Sequence, residues 1–488
     1  MSTPSGTGQT TGPLPASPRF IALILASAIF MEQVDSTVLA TALPTMARSF
    51  GVPPLHLSVA VTSYLLSIAV FIPVSGRVAD RLGSRTVFRF AILLFTLGSI
   101  LCSLSTSVWF LVLSRILQGM GGGMMVPVGR LVLIRSVPKS EFVAIMSWVL
   151  VPAMLGPVVG PPLGGFLVTY LSWRWIFYIN VPLGLAGVVL ASLFIPQIKE
   201  QKTAPFDVKG SILSGVCLSC LLYGLEMATR SGFTAWAAPL LGVALAFGAL
   251  YWRHARTHPA PVLDFKLFRI PTFSVACTAG TLFRISFGAL TFLLPLMMQL
   301  GFGLSAAQSG LITFAGAAGS VAMKAVARFV LRHFGYRKTL LWNGVVCSLY
   351  IGACAFFRPS WPLPILYAIL LTGGTFRSLQ YTAYGTMVYG DIPARETSAA
   401  TGFHSMVQQL SVTFGVAISA GVLAGSMALS GHDSPSLPDF MVTFLSIAGL
   451  SLLAVPICLR LEPGAGAELS GHRAQAVTSE EAEAELPG

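Results

Sequence analysis

The chain has 488 residues, of which 54% are hydrophobic and only 10% charged. With a mean hydropathy of +0.77 this composition excludes the soluble classes and leaves a polytopic membrane protein. A net charge of +12 in a soluble domain would suggest nucleic acid, but here the bases lie in short loops between apolar runs, where they meet anionic headgroups and set topology, so no nucleic-acid partner is expected.

In chain order, residues 1–18 are rich in Ser, Thr, Gly and Pro and lack the basic-then-apolar form of a cleaved signal, so they are expected to be a disordered tail. A helix needs about 20 apolar residues to cross the hydrocarbon core. Runs of that order fall at 20–43, 57–75, 86–104, 108–133, 142–171, 175–195, 208–227, 236–252, 273–300, 306–330, 339–357, 361–389, 398–429 and 440–459. Linkers after the sixth and eighth runs divide these fourteen as six, two and six. The expected fold is therefore an all-α integral membrane protein: one six-helix bundle over 19–196, linkers and two extra transmembrane helices over 197–269, and a second six-helix bundle over 270–460. An acidic disordered tail is expected over 461–488.

Basic residues test this count independently. With a cytoplasmic N-terminus, 22 of the 30 Lys and Arg fall on inner loops and helix ends, four outside and four mid-span. The asymmetry favours both termini in the cytoplasm. All seven cysteines lie within apolar runs and read as packing residues, Cys217 and Cys220 included. The seven histidines are scattered and mostly in loops, with no His/Cys cluster at metal-ligand spacing, so no metal is expected.

Five segments carry recognisable patterns. Gly76-Arg-Val-Ala-Asp80-Arg81-Leu-Gly83-Ser-Arg85 links the second and third runs. Gly76 would let one helix end approach a neighbour, Gly83 would permit a tight reversal, and Asp80, Arg81 and Arg85 could bridge helix ends. Asp35-Ser-Thr-Val-Leu-Ala-Thr-Ala-Leu-Pro44 lies in the first run, Arg115-Ile-Leu-Gln118-Gly119-Met-Gly-Gly-Gly123 in the fourth, Gly156-Pro157-Val-Val-Gly160-Pro161-Pro-Leu-Gly164-Gly165 in the fifth, and Trp173-Arg174-Trp175-Ile-Phe-Tyr-Ile-Asn180-Val-Pro182 opens the sixth. In this order and spacing they resemble the fourteen-span drug:proton antiporters of the major facilitator superfamily, in the MdtD-type branch. The resemblance implies the major facilitator fold, two pseudo-symmetric bundles around a cavity that faces each side alternately, with two helices inserted between them. In the second half, Arg332 stands where a repeated signature loop would place an acid.

Ionisable groups at membrane depth are costly and read as functional. Glu32 and Asp35 share one helix face. Asp35 lies about 24 Å from the inner end of its run and Arg115 about 10 Å from the outer end of its own, depths compatible with a pair across a core of about 30 Å. Asp35, Arg115 and Glu32 are therefore the candidates for proton coupling; the alternative for Asp35 and Arg115 is a static buried pair that fixes helix register. Glu32 could contact substrate or make a helix-to-helix hydrogen bond, and Gln118 also falls to the substrate cavity. Glu226, near the outer end of the seventh run, reads as facing the membrane interface. Gly156, Gly160 and Gly164 recur every fourth residue, the spacing that lets backbones touch, and with Pro157 and Pro161 they suit a gating helix. Arg284 and Arg377 sit mid-span with no Asp or Glu in any run from the ninth onward, and Lys324 lies about one turn from the inner loop. Such a basic wall suits an anionic, carboxylate-bearing substrate. The alternatives are that backbone carbonyls and water satisfy the arginines, or that they pair with Glu32.

No phosphate-cradling GxxxxGK[ST] and no GxSxG nucleophile motif occurs. The expectation is thus a monomeric, cofactor-free secondary transporter, not an enzyme, in a bacterial inner (plasma) membrane, exporting small organic compounds against protons. A symporter or uptake facilitator on the same fold, and a non-transporting membrane receptor or scaffold, are the alternatives.

Overall fold

The computed structural model describes residues 17–136, 142–199, 207–228, 234–259, 261–393 and 396–470. Most of the two expected tails, residues 1–16 and 471–488, lies outside these residues, while Pro18 already belongs to the first helix. Among the described residues the regular structure is helical throughout: α1 (Pro18–Phe50), α2 (Ser58–Leu82), α3 (Ser84–Ser103), α4 (Val108–Ser136), α5 (Phe142–Tyr170), α6 (Trp175–Tyr178), α7 (Asn180–Phe194), α8 (Val208–Ala228), α9 (Thr234–Thr257), α10 (Pro271–Leu296), α11 (Ala306–Cys354), α12 (Leu363–Met387), α13 (Thr397–Ser430), α14 (Leu437–Leu452), α15 (Ala454–Cys458) and α16 (Ala467–Ser470).

Local chemistry sets several boundaries. Ser17 accepts from the Phe20 N–H and Pro18 opens α1, while Gly51, at φ 65°, closes it. Ser305 and Gln308 cap each other's backbone at the start of α11. Among the described residues, twelve helices are long and apolar enough to cross a membrane. They differ from the expected runs at two places. The 49 residues of α11 would extend about 74 Å, more than twice a hydrocarbon core of about 30 Å. Gly335, at φ 71° and ψ 169°, breaks this helix between the runs expected at 306–330 and 339–357. The second place is α12, a 25-residue helix outside the twelve, whose stretch TGGTFRSLQYT is rich in polar and small residues.

In the first half, α1 packs on α5, α2 and α3 on α4, and α3 on α7; in the second, α10 packs on α13 and α11 on α12 and α14. The halves meet along α5 with α11 and α2 with α13. The hairpin of α8 and α9 leans on this body through α8, which touches α2 and α13. Large apolar side chains such as Leu245, Phe329 and Trp236 point outward, as expected where the surroundings are lipid rather than water.

Three placements correct the sequence reading. Glu226 does not face the membrane interface: it is buried in α8 and accepts from Ser58 Oγ at 3.0 Å and Thr62 Oγ1 at 3.2 Å of α2. Asp439 lies inside the last candidate span, Leu437–Cys458, because α14 begins three residues earlier than the apolar run. It caps its own helix, accepting from Ser426 Oγ at 2.7 Å, His432 Nδ1 at 2.8 Å and the Ser436 N–H at 3.0 Å. Residues 461–470, expected in the solvated tail, run along α11: Leu461 is buried, and a Cβ on Gly466 would stand 2.7 Å from the Tyr336 ring.

Candidate functional site

The first half is held together around one buried carboxylate. Asp35 and Arg115 are each 1% exposed, and Arg115 Nη1 donates to Asp35 Oδ2 at 2.6 Å. Gln118 Nε2 and Asn180 Nδ2 donate to the other oxygen, Oδ1, at 2.8 and 3.1 Å. Both amides also reach Ser99 Oγ of α3, at 2.8 and 3.3 Å. Arg115 has further partners: Gln118 Oε1 at 2.7 Å, the Ala60 carbonyl at 3.3 Å and the face of the Tyr64 ring at 3.8 Å. A charged pair with its remaining lone pairs and protons satisfied in this way is the arrangement a low-dielectric site tolerates.

Small residues make these reaches possible. A Cβ on Gly119 would lie 2.5 Å from the Tyr64 carbonyl, and one on Gly98 would lie 2.6 Å from the Gln118 Cα, so α4 sits directly on α2 and α3. The position of α1 is set from its other side. Cβ atoms on Gly156 and Gly164 would lie 2.6 Å from Gln33 Cβ and 2.7 Å from Thr41 Oγ1, and one on Gly160 would overlap Thr37 Oγ1. Gly165 faces the opposite way, onto the backbone of Ala306 in α11, and Pro161 meets Gly310 there. The α5 motif thus carries both the α1 contact and the contact between halves.

Glu32 is buried beside this network without joining it. Its carboxylate accepts from Gln33 Nε2 at 2.8 Å, and its backbone carbonyl accepts from Tyr64 Oη at 3.5 Å. In the signature loop, Gly83 adopts φ 94° and the Gln197 side chain packs over it, its Oε1 accepting from the Thr86 N–H at 3.2 Å and its Nε2 donating to Thr86 Oγ1 at 2.8 Å. Gly76 does not provide the expected close approach, since a Cβ there would meet nothing within 4 Å. Arg81 is exposed, and Asp80 and Arg85 are half-buried.

The second half presents three bases around a pair of aromatic rings, Phe287 and Tyr381, whose centres are 5.7 Å apart. Arg284 is fully buried, with its guanidinium 5.4 Å from the Tyr381 ring centre. The Lys324 ammonium lies 6.0 Å from the same ring and donates to Thr382 Oγ1 at 3.0 Å. Arg377, half-buried, stands over the Phe287 ring at 4.6 Å and lines a small cavity with Cys347 and Tyr350. The partner of Arg284 is His404 Nε2, at 3.2 Å; the arginine's Nε and Nη1 have no hydrogen-bond partner among the described residues. Neither arginine reaches Glu32 in these contacts. His404 is buried about two turns into α13 and not in a loop.

The fold also assembles a donor cluster that the sequence reading passed over: His254 and His258 are four residues apart on one helix, and ligand atoms of Asp207, His254 and His258 lie within 4.8 Å of one another. Burial alone would raise the Asp207 pKa, but hydrogen bonds from the Gly210 N–H and His254 hold it below the ordinary carboxylate value. Of the residues that sequence reasoning left out, Asn180 at least belonged to a recognised segment, whereas Ser99, Tyr64 and His404 carry no signal that separates them from other span residues.

The sequence profile of the Major Facilitator Superfamily matches residues 25–416, and the chain belongs to that family. It is 39% identical over 462 residues to a protein of Serratia proteamaculans that carries the name multidrug resistance protein MdtD, covering 91% of this chain and 96% of that one. The counterpart of the same name in Escherichia coli O6:H1 is 38% identical over 450 residues, covering 91% and 94%. Among solved structures, the POT family transporter PepTSo superposes with a TM-score of 0.67 at 16% identity over 94% of this chain and 99% of that one. The human organic anion transporter MFSD10 gives 0.59 at 15% identity over 91% and 100%. The protein is therefore a multi-pass membrane transporter of small molecules on the major facilitator fold, not an enzyme.

Proposed function

We propose that this protein exports small organic compounds by alternating access in exchange for protons, with Asp35 as the proton-carrying group. The observation that carries this reading is the Asp35–Arg115 pair, buried where α1, α2, α4 and α7 converge and furnished with a fallback for the arginine. When Asp35 takes a proton it loses its charge, and Arg115 keeps the Gln118 amide oxygen, the Ala60 carbonyl and the Tyr64 face. The pair can then separate without stranding a bare guanidinium. Because α1 meets α5 through a run of glycines, movement of α5 against α11 is felt by the helix that holds Asp35. Relatives that carry a multidrug-resistance name at 37–39% identity support export rather than uptake.

Reading α11 as two crossings about Gly335 and α12 as one gives fourteen, which puts both termini on the same face. With the basic residues on that side, this face is the cytoplasm and the membrane a bacterial inner membrane. A monomer suffices for the mechanism. The Arg284, Arg377 and Lys324 group supports an anionic substrate class. The test is transport in inverted vesicles under an imposed pH gradient. Asp35→Asn is expected to abolish gradient-driven accumulation while keeping substrate exchange; undiminished uphill transport in that variant would overturn the assignment.

A further inference from the structure

We propose that Asp207, His254 and His258 form a binding site for a divalent transition-metal ion of the zinc type, stapling the inserted helix pair at its base. His254 and His258 are one helical turn apart at the end of α9 and share a face, with ring centres 5.1 Å apart. Asp207 stands immediately before α8 and meets them there, with its Oδ1 2.6 Å from His254 Nε2. Two imidazoles and a carboxylate are a donor set that suits zinc and its neighbours, with a fourth position left for water.

The carboxylate is held by backbone from two other segments. Its Oδ1 accepts from the Gly210 N–H at 2.8 Å and its Oδ2 from the Val262 N–H at 3.3 Å, and such outer contacts orient a metal ligand. An ionised carboxylate offers about four acceptor positions, so these bonds leave room for an ion. Two donors on one tetrahedral zinc stand about 3.3 Å apart, so Asp207 and His254 would open by about 0.7 Å to admit it. The side chains can give by that much, since His254 is 15% exposed and His258 is partly exposed. Nearby cations point elsewhere: Arg256 lies over the Trp252 ring at 4.8 Å, on the other side of α9, and Lys209 is exposed. An ion here would tie the start of α8, the end of α9 and the linker at Val262 into one unit, independently of the Asp35 site.

The test uses the full-length protein in detergent, stripped of metal by a chelator and titrated with Zn²⁺ by calorimetry and with Co²⁺ by visible absorption. One ion per chain is expected, with affinity reduced at least tenfold in His254→Gln and His258→Gln and a zinc-dependent rise in Tm that both variants lose. His258→Gln carries the test if His254→Gln fails to fold, because His254 also bonds the carboxylate that precedes α8. Failure to bind stoichiometrically, or binding unchanged in a folded His258→Gln protein, would overturn the proposal and leave an Asp–His helix cap only.

Discussion

Gln118 of α4 and Asn180 of α7 donate to a single oxygen, Asp35 Oδ1, at 2.8 and 3.1 Å, while Oδ2 is taken by Arg115. Both oxygens of the carboxylate are thus engaged by protein donors, which fill three of its about four acceptor positions. In the coupling proposed above, a proton taken by Asp35 would loosen the hold of α4 and α7 on α1.

In that proposal the fork of Arg115 is central. Arg115→Lys is expected to lower gradient-driven transport at least tenfold with near-normal expression. One ammonium cannot reach Asp35 Oδ2, Gln118 Oε1 and the Ala60 carbonyl together while lying on the Tyr64 face. Vesicle assays that give rates within twofold of wild type would show that charge alone is sufficient.

Two glycine substitutions should separate packing from pattern. Gly160→Leu is expected to cut turnover severely, because even a Cβ there overlaps the Thr37 hydroxyl and pushes α1 from α5. Gly76→Ala, at a helical position where a Cβ meets nothing within 4 Å, should leave transport intact and add up to about 1 kcal/mol of stability. Substrate flux and thermal unfolding, measured on both variants, distinguish these outcomes.

The docking of the inserted hairpin can be weighed at Glu226. Glu226→Ala removes the acceptor of Ser58 and Thr62 in a buried contact, which should cost about 1–3 kcal/mol. A Tm equal to that of wild type would mean that Glu226 does not contribute to holding the hairpin.

Substrate charge is tested at the basic group. Arg284→Gln and Arg377→Gln should each reduce transport of carboxylate-bearing compounds at least tenfold and leave lipophilic cations unaffected. Direct flux measurements with matched anionic and cationic substrates decide it, and preference of the wild type for cations would remove the anion reading.

Membrane class, most of the helical runs and the family segments were legible from residue order, because hydropathy and glycine spacing are local properties that survive without coordinates. The pairing of Asp35 with Arg115 was legible as well, since charges at membrane depth are few and must find one another. What residue order could not contain was the identity of neighbours across helices. Ser99 became part of the site only when α3 packed on α4 across Gly98, and Gly76, for all its place in a motif, turned out to face open space. Asp207 and His254, 47 residues apart, meet only because α8 and α9 fold back on each other. His404 and Arg284, separated by 120 residues, meet because α13 lies along α10. Hydropathy places each helix in the bilayer but leaves its rotation and partners free, and those are decided by close packing of small residues and by the need of every buried polar group for a partner.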